Sequence, residues 1–125
     1  MSEARDPLTD KVIGLAIEVH RALGPGLLES AYEACLCFEL ADKKIPHQRQ
    51  VPLPVTYKSV KLEYGYRLDV VVDDQLVIEL KTVDRLLPIH EAQLLTYMRL
   101  GGFSTGLLLN FNAPLLEDGL KRMVL

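Results

Sequence analysis

Near residue 45 the spacing of apolar residues changes from about 3.6 to about 2, and a chain that does this must set a helical part against a sheet. Before the change, "DPLTDKVIGLAIEVHRAL" carries Val12, Ile13, Ala16, Ile17, Val19 and Leu23 at helical spacing, with Thr9 or Asp10 placed to cap it. The glycines and proline of "GPG", residues 24–26, end that helix. A second helix is expected from near Leu27 to about Lys43, with an apolar face of Leu28, Ala31, Tyr32, Cys35, Leu36 and Leu40. After the change, "HQRQVPLPVTYK" holds two prolines and suits an extended edge strand. "VKLEYGYRLDVVV" and "QLVIELKTV" flank a "DD" pair and read as a hairpin. "PIHEAQLLTYMRLG" reads as a third helix, with Pro88 at its start and Gly101 just past its end. "FSTGLLLNFN" is a further strand, and "APLLEDGLKRMVL" a turn or helical piece followed by a last strand from Leu120. The order α-α-β-β-β-α-β-(β) predicts one α/β (α+β) domain over residues 1–125, a mixed sheet flanked by helices.

Within the hairpin, "LDVVVDDQLVIELKT" is mostly aliphatic yet contains Asp69, Glu79 and Lys81. Asp69 and Glu79 are equidistant from Asp74, so a hairpin centred there sets them opposite each other. Directly opposed like charges destabilise a sheet. Alternation puts Glu79 and Lys81 on one face and Leu80 on the other. Two carboxylates forced together imply either a shared proton, with one pKa strongly raised, or a bound hard cation such as Mg²⁺. The plainer alternative is that Lys81 pairs with Glu79 on a solvated sheet face.

Composition narrows the function classes. A 125-residue chain with 49% apolar and 25% charged residues has material for a core. The formal charge of -3 argues against a strongly basic nucleic-acid binder. Cys35 and Cys37 are too few for a cysteine-only zinc or iron–sulfur site and read as buried thiols. No His-x-x-x-His spacing, phosphate-binding glycine loop or serine-nucleophile elbow occurs. The opening "MSEARDPLTD" has no apolar leader core, and no run is long enough to span a membrane, so a cytoplasmic location is expected.

Asp69 followed by Glu79-Leu80-Lys81 resembles the core of the PD-(D/E)XK nuclease superfamily. "QLLTY", with Gln93 and Tyr97 one helical turn apart, is similar to the Q-x-x-x-Y element of its exonuclease-like branches. "GLLESAY", with Gly26, Glu29 and Tyr32, resembles the signature of the GxxExxY proteins, a family placed in that superfamily. The resemblance runs from about Val12 to Leu125. It implies a restriction-endonuclease-like core of about four to five strands. It also implies a divalent cation, Mg²⁺ or Mn²⁺, held by Glu29, Asp69, Glu79 and the Leu80 carbonyl. Lys81 then acts on the attacking water, Gln93 positions Lys81 or substrate, and Tyr97 stacks or hydrogen-bonds nearby. The implied reaction is hydrolysis of nucleic-acid phosphodiesters, with DNA ranked ahead of RNA. Leu68 stands where the motif has its proline, a departure the superfamily tolerates.

Tyr32 and His20 are candidates for substrate or supporting roles, with core packing and a structural hydrogen bond as their plainer readings. Glu29 and His90 have plainer readings as exposed helix-terminal residues. Phosphate contacts usually dominate nucleic-acid affinity. The best basic strip is Lys43, Lys44, His47 and Arg49, with Arg67, Arg85 and Arg99 as candidates nearer the site. A rival reading is a catalytically silent nuclease fold that binds nucleic acid or a protein partner. A homodimer is one way for a domain this small to grip a duplex.

Overall fold

The computed structural model describes residues 6–63 and 65–125. Three helices, α1 (Pro7–Leu23), α2 (Glu29–Asp42) and α3 (Pro88–Gly101), accompany strands β1 (His47–Pro52), β2 (Val55–Tyr57), β3 (Val60–Leu62), β4 (Arg67–Val72), β5 (Leu76–Lys81), β6 (Thr105–Asn110) and β7 (Leu120–Val124). Among the described residues five strands form one sheet in the order β1-β4-β5-β6-β7, and β2 and β3 form a separate hairpin. Among the described residues only the β5–β6 pair is parallel, joined through α3.

The sheet is covered on both faces. Val70, Val72, Leu76, Ile78, Leu80, Leu107 and Leu109 pack against α1 and α2 through Val12, Ala16, Leu36 and Leu40. Val71, Val77 and Leu108 face Leu94 and Met98 of α3, with Leu53 and Met123 at the margin. This double cover explains why β5 and β6 read as near-continuous aliphatic runs. Gly106 permits the close seating of α3, because a Cβ there would lie 2.6 Å from the Met98 sulfur.

Several boundaries differ from expectation. Asp6, rather than Thr9 or Asp10, caps α1: its carboxylate accepts from the Thr9 backbone N–H at 2.8 Å and from the Thr9 hydroxyl at 2.9 Å. The second helix starts at Glu29, since Leu28 is still extended. Gly101 belongs to α3, and Gly102 supplies the left-handed cap. The expected long edge strand divides into β1 and β2, and the expected strand 60–72 divides into β3 and β4. Tyr64, inside that second run, lies outside the described residues. The division has a local cause: Lys58 takes φ 53° and turns β2 back onto β3.

The 68–82 hairpin forms as read. Asp73 and Asp74 both take positive φ, and the Gln75 N–H donates to the Val72 carbonyl at 2.9 Å. Such a turn matches the right-handed twist of its strands. The register pairs Val72 with Leu76 and Val70 with Ile78.

Candidate active site

The strand that carries Asp69 breaks its own rules at that residue. Pairing of β1 with β4 runs from His47↔Val72 to Arg49↔Val70, skips one step, and resumes at Val51↔Leu68. Gln50, opposite Asp69, has φ 50°. On the other side, β4–β5 pairing stops at Val70↔Ile78. Leu68 and Val71 lie in the same α3-side cluster although strict alternation would separate them. The β1–β4 register is the same on both sides of Asp69, but the ladder pairing to β1 is interrupted there and the pairing to β5 has already ended.

Side chains take over the lost ladder bonds. The Asp69 N–H donates to Glu79 Oε1 at 3.3 Å, and the Leu80 N–H donates to Asp69 Oδ2 at 2.9 Å. Each carboxylate is thus fixed by the backbone of the opposite strand. Extending the hairpin register sets Asp69 against Glu79, so the pair foreseen from the sequence is brought together. Because N–H and C=O of one strand residue point to the same edge, the Leu80 carbonyl also faces the gap beside Asp69.

Glu79 is buried. Loss of water pushes its carboxyl up to about 8; the Asp69 charge and a hydrogen bond to the Asp69 carboxylate add to this, and Lys81 partly opposes it. At neutral pH without a cation, the pair holds a proton between its oxygens. Lys81 makes no close ion pair with Glu79. Its ammonium donates to Gln93 Oε1 at 3.3 Å, and Gln93 Nε2 donates to the Tyr97 hydroxyl at 3.1 Å. Lys81, Gln93 and Tyr97 form a chain from β5 to α3, one residue pair beyond the carboxylates.

Glu29 is the first residue of α2 and is exposed. Its carboxyl is raised, first by partial loss of water and then by the Asp69 charge, so it stands within electrostatic reach of the pair. Its neighbour one turn on, Glu33, is buried and accepts from Arg49 Nε at 3.1 Å and Gln50 Nε2 at 2.8 Å. Those bonds hold the β1 residue whose left-handed backbone faces Asp69. The sequence reading missed Glu33; the available signal was an acid four residues from Glu29 beside apolar positions.

Tyr32 is fully buried, stacks on Phe111 at 4.5 Å, donates to the Gly24 carbonyl and accepts from the Leu27 N–H at 3.1 Å. Gly26 has φ 103°, where only glycine sits without strain, and its N–H donates to Asn112 Oδ1 at 3.2 Å. Tyr32 therefore pins the loop that delivers Glu29 and has no open face for substrate. Tyr32→Phe is expected to lose about 1–2 kcal/mol by urea unfolding, the value of a buried hydroxyl linking two backbone groups, with an unchanged m-value.

His20 is buried, with Nε2 2.8 Å from the Ala113 carbonyl, and ties α1 to the segment after β6. His90 Nδ1 accepts the Leu87 N–H at 2.9 Å and caps α3. Asn110, also missed from sequence, is buried beside Lys81 in register; it donates to the Val83 carbonyl at 2.8 Å and accepts the Val83 and Asn112 N–H groups at 3.1 Å. It fixes the chain leaving the site.

The expected basic strip does not reach the site. Lys43, Lys44 and His47 lie at the hairpin-turn end of the sheet with Asp73, because β1 runs antiparallel to β4. Arg49 is taken by Glu33. Arg67 lies at the site end, its Nη1 donating to the Gln50 carbonyl at 3.1 Å.

A sequence profile of the PD-(D/E)XK nuclease superfamily matches residues 6–123. The chain belongs to the PD-(D/E)XK nuclease superfamily. The match spans every element above, and the five-stranded mixed sheet flanked by three helices is consistent with that fold. No curated protein and no solved structure matches the chain. Among the described residues no helix is long and apolar enough to cross a membrane.

Nucleases of this superfamily generally use divalent metals. Among the described residues no three His, Cys, Asp or Glu side chains stand together as a ready-made metal cluster. The donor set still suits a hard ion: two apposed carboxylates beside a strand carbonyl, with Glu29 at the rim. Mg²⁺ typically takes one or two carboxylates and keeps several waters. Cys37, by contrast, is buried with its thiol pushed up to about 11, which makes it inert.

Proposed function

We propose that this chain hydrolyses nucleic-acid phosphodiester bonds, DNA ahead of RNA. Asp69, Glu79 and the Leu80 carbonyl would hold Mg²⁺ or Mn²⁺, with Glu29 completing the set. The observation that carries the reading is the Asp69–Glu79 pair, held in contact by backbone N–H groups at a break in the sheet. Two carboxylates there are unfavourable unless a proton or a cation sits between them.

When bound, the cation supplies charge stabilisation at phosphate and a more acidic water. The protein's residues do the rest. Glu79 would have to be ionised to hold the cation, so binding would be coupled to loss of its proton. Lys81 presents its ammonium beside the carboxylates, where it orients the attacking water or stabilises negative charge on phosphate oxygen. Gln93 positions Lys81 by accepting a hydrogen bond from its ammonium, and the Tyr97 hydroxyl accepts from the Gln93 amide N–H. Glu33 acts only by holding Gln50 against the break.

Calorimetric titration of Mn²⁺ and Mg²⁺ into wild type and Glu79→Ala tests the reading, with plasmid and single-strand cleavage measured on the same samples. Binding that disappears in the variant together with metal-dependent cutting is the expected result. A protein that binds neither ion is instead a silent nuclease fold.

A further inference from the structure

A cavity of about 320 Å³ opens between α3 and the β2–β3 hairpin. Val55 and Leu62 line one side, Ile89, Gln93 and Tyr97 the other, with Tyr66 between. Its surface is largely apolar and open: Ile89 is 67% and Tyr66 41% exposed. The Tyr66 and Tyr97 rings lie 6.2 Å apart at 57°. Gln93 belongs both to this wall and to the candidate active site, since its amide oxygen accepts from Lys81. Gln93 thus links the cavity wall to Lys81 of the candidate active site.

We propose that this cavity receives an unpaired nucleobase of the substrate strand, so that the enzyme acts on single strands, frayed ends or splayed junctions in preference to intact duplex. The proposal rests on the phosphodiester chemistry above. At about 320 Å³ the space is near the bottom of the roughly 300–1,000 Å³ range for ligand sites, sized for one base and its sugar. An apolar, tyrosine-bearing wall one side chain from the reacting phosphate suits a base face, and every base has one. Bases inside a duplex are stacked on each other and cannot enter. Charge points the same way. Gripping a long duplex requires many phosphate contacts, yet the chain carries -3 and its Lys43–Lys44 cluster sits at the far end of the sheet. Stacking supplies affinity that the sparse cations do not.

The test uses metal-free protein, where no cutting is required. A short single strand containing 2-aminopurine, and a blunt duplex of the same sequence, are titrated at one salt concentration. The single strand is expected to bind about tenfold tighter, with the 2-aminopurine emission quenched by stacking. Tyr66→Ala loses about tenfold on the single strand only, while Tyr66→Phe retains binding and quenching. Ile89→Ala, at an exposed position that tolerates truncation, weakens the same ligand several-fold. Equal or tighter duplex binding overturns the proposal. So does single-strand binding unchanged in both Tyr66→Ala and Ile89→Ala, or no binding of either nucleic acid. Selective stacking in a protein that then fails to cut with Mn²⁺ sustains the base site and refutes the hydrolysis. Metal-dependent cutting of duplex and single strand at equal rates, insensitive to Tyr66→Ala, sustains the hydrolysis and refutes the base site.

Discussion

Glu79→Gln and Asp69→Asn are each expected to reduce the proposed metal-dependent phosphodiester hydrolysis by at least about 10³-fold, the loss that follows when roughly 4 kcal/mol of charge stabilisation is removed. Both replacements keep the shape and the hydrogen-bond acceptors that hold the β4–β5 junction, since an amide oxygen can still take the Asp69 or Leu80 N–H. The variants should therefore fold, and calorimetry should show the metal isotherm lost rather than the protein. Lys81→Ala separates the roles: it removes cutting while leaving Mn²⁺ binding intact, because the ammonium donates to Gln93 and is not placed as a ligand. Full hydrolysis in either carboxamide variant would remove that residue from the site.

The same substitution at Glu79 has the opposite effect on stability. Glu79 has an ordinary value of 4.5 and is pushed up to about 8 in the folded chain, chiefly by burial. Between those values the folded state binds more protons than the unfolded state. Stability without metal therefore falls as pH rises from about 4.5 through 8, and levels off above. Glu29, raised in the same sense, steepens the trend. Asp6, lowered by its bonds to Thr9, acts in the reverse direction and only in acid, losing its contribution as pH falls through its folded value. A tenfold difference in proton affinity between the folded and unfolded chain is worth about 1.4 kcal/mol, so the loss at pH 8 amounts to a few kcal/mol. Glu79→Gln carries no ionisable group there. Its melting temperature should exceed that of the metal-free wild type by on the order of 10 °C at pH 8 and converge with it near pH 4. Saturating Mn²⁺ should raise the wild type and leave the variant unchanged. A flat pH profile for wild type between 5 and 8 would show that Glu79 is already hydrated and unpaired.

Together these two expected outcomes would describe a site in which stability is given up for function. The junction between β4 and β5 holds a carboxylate pair in a position where an apolar pair would pack better, and a bound cation would offset that cost.

How much of this was legible in the chain follows from the range of the interactions involved. The hairpin could be read because its centre at Asp73–Asp74 and its alternation are local, and local spacing alone then sets Asp69 against Glu79. The superfamily could be read from Asp69, Glu79-Leu80-Lys81 and Gln93-x-x-x-Tyr97 for the same reason: each motif sits on one element or one turn. The helix starts were off by a few residues where the cap depends on a particular hydrogen bond, as at Asp6. The run 60–72 looks continuous in sequence because its division depends on how Lys58 turns and on where β2 finds its partner.

Only the tertiary structure decided the rest. Glu33 lies 16 residues from Arg49 and 17 from Gln50 along the chain, and no spacing rule connects them. The gap in the ladder at Asp69 arises because β1 and β5 both leave the same residue unpaired, which neither strand's pattern records. The basic run 43–49 looked like a phosphate-binding strip in one dimension, but the antiparallel direction of β1 carries Lys43, Lys44 and His47 to the wrong end of the sheet, and Glu33 takes Arg49. The open wall of Tyr66, Ile89 and Tyr97 exists only because a hairpin that never joins the main sheet stands beside α3. Periodicity by itself determined most of the residues that turn inward, though Leu23 and Leu28 of the expected apolar faces are exposed, and it determined that Asp69 meets Glu79, since hairpin register follows from bond geometry along the chain. Which end of the sheet is charged, and what stands next to Lys81, was set by packing between segments far apart in sequence.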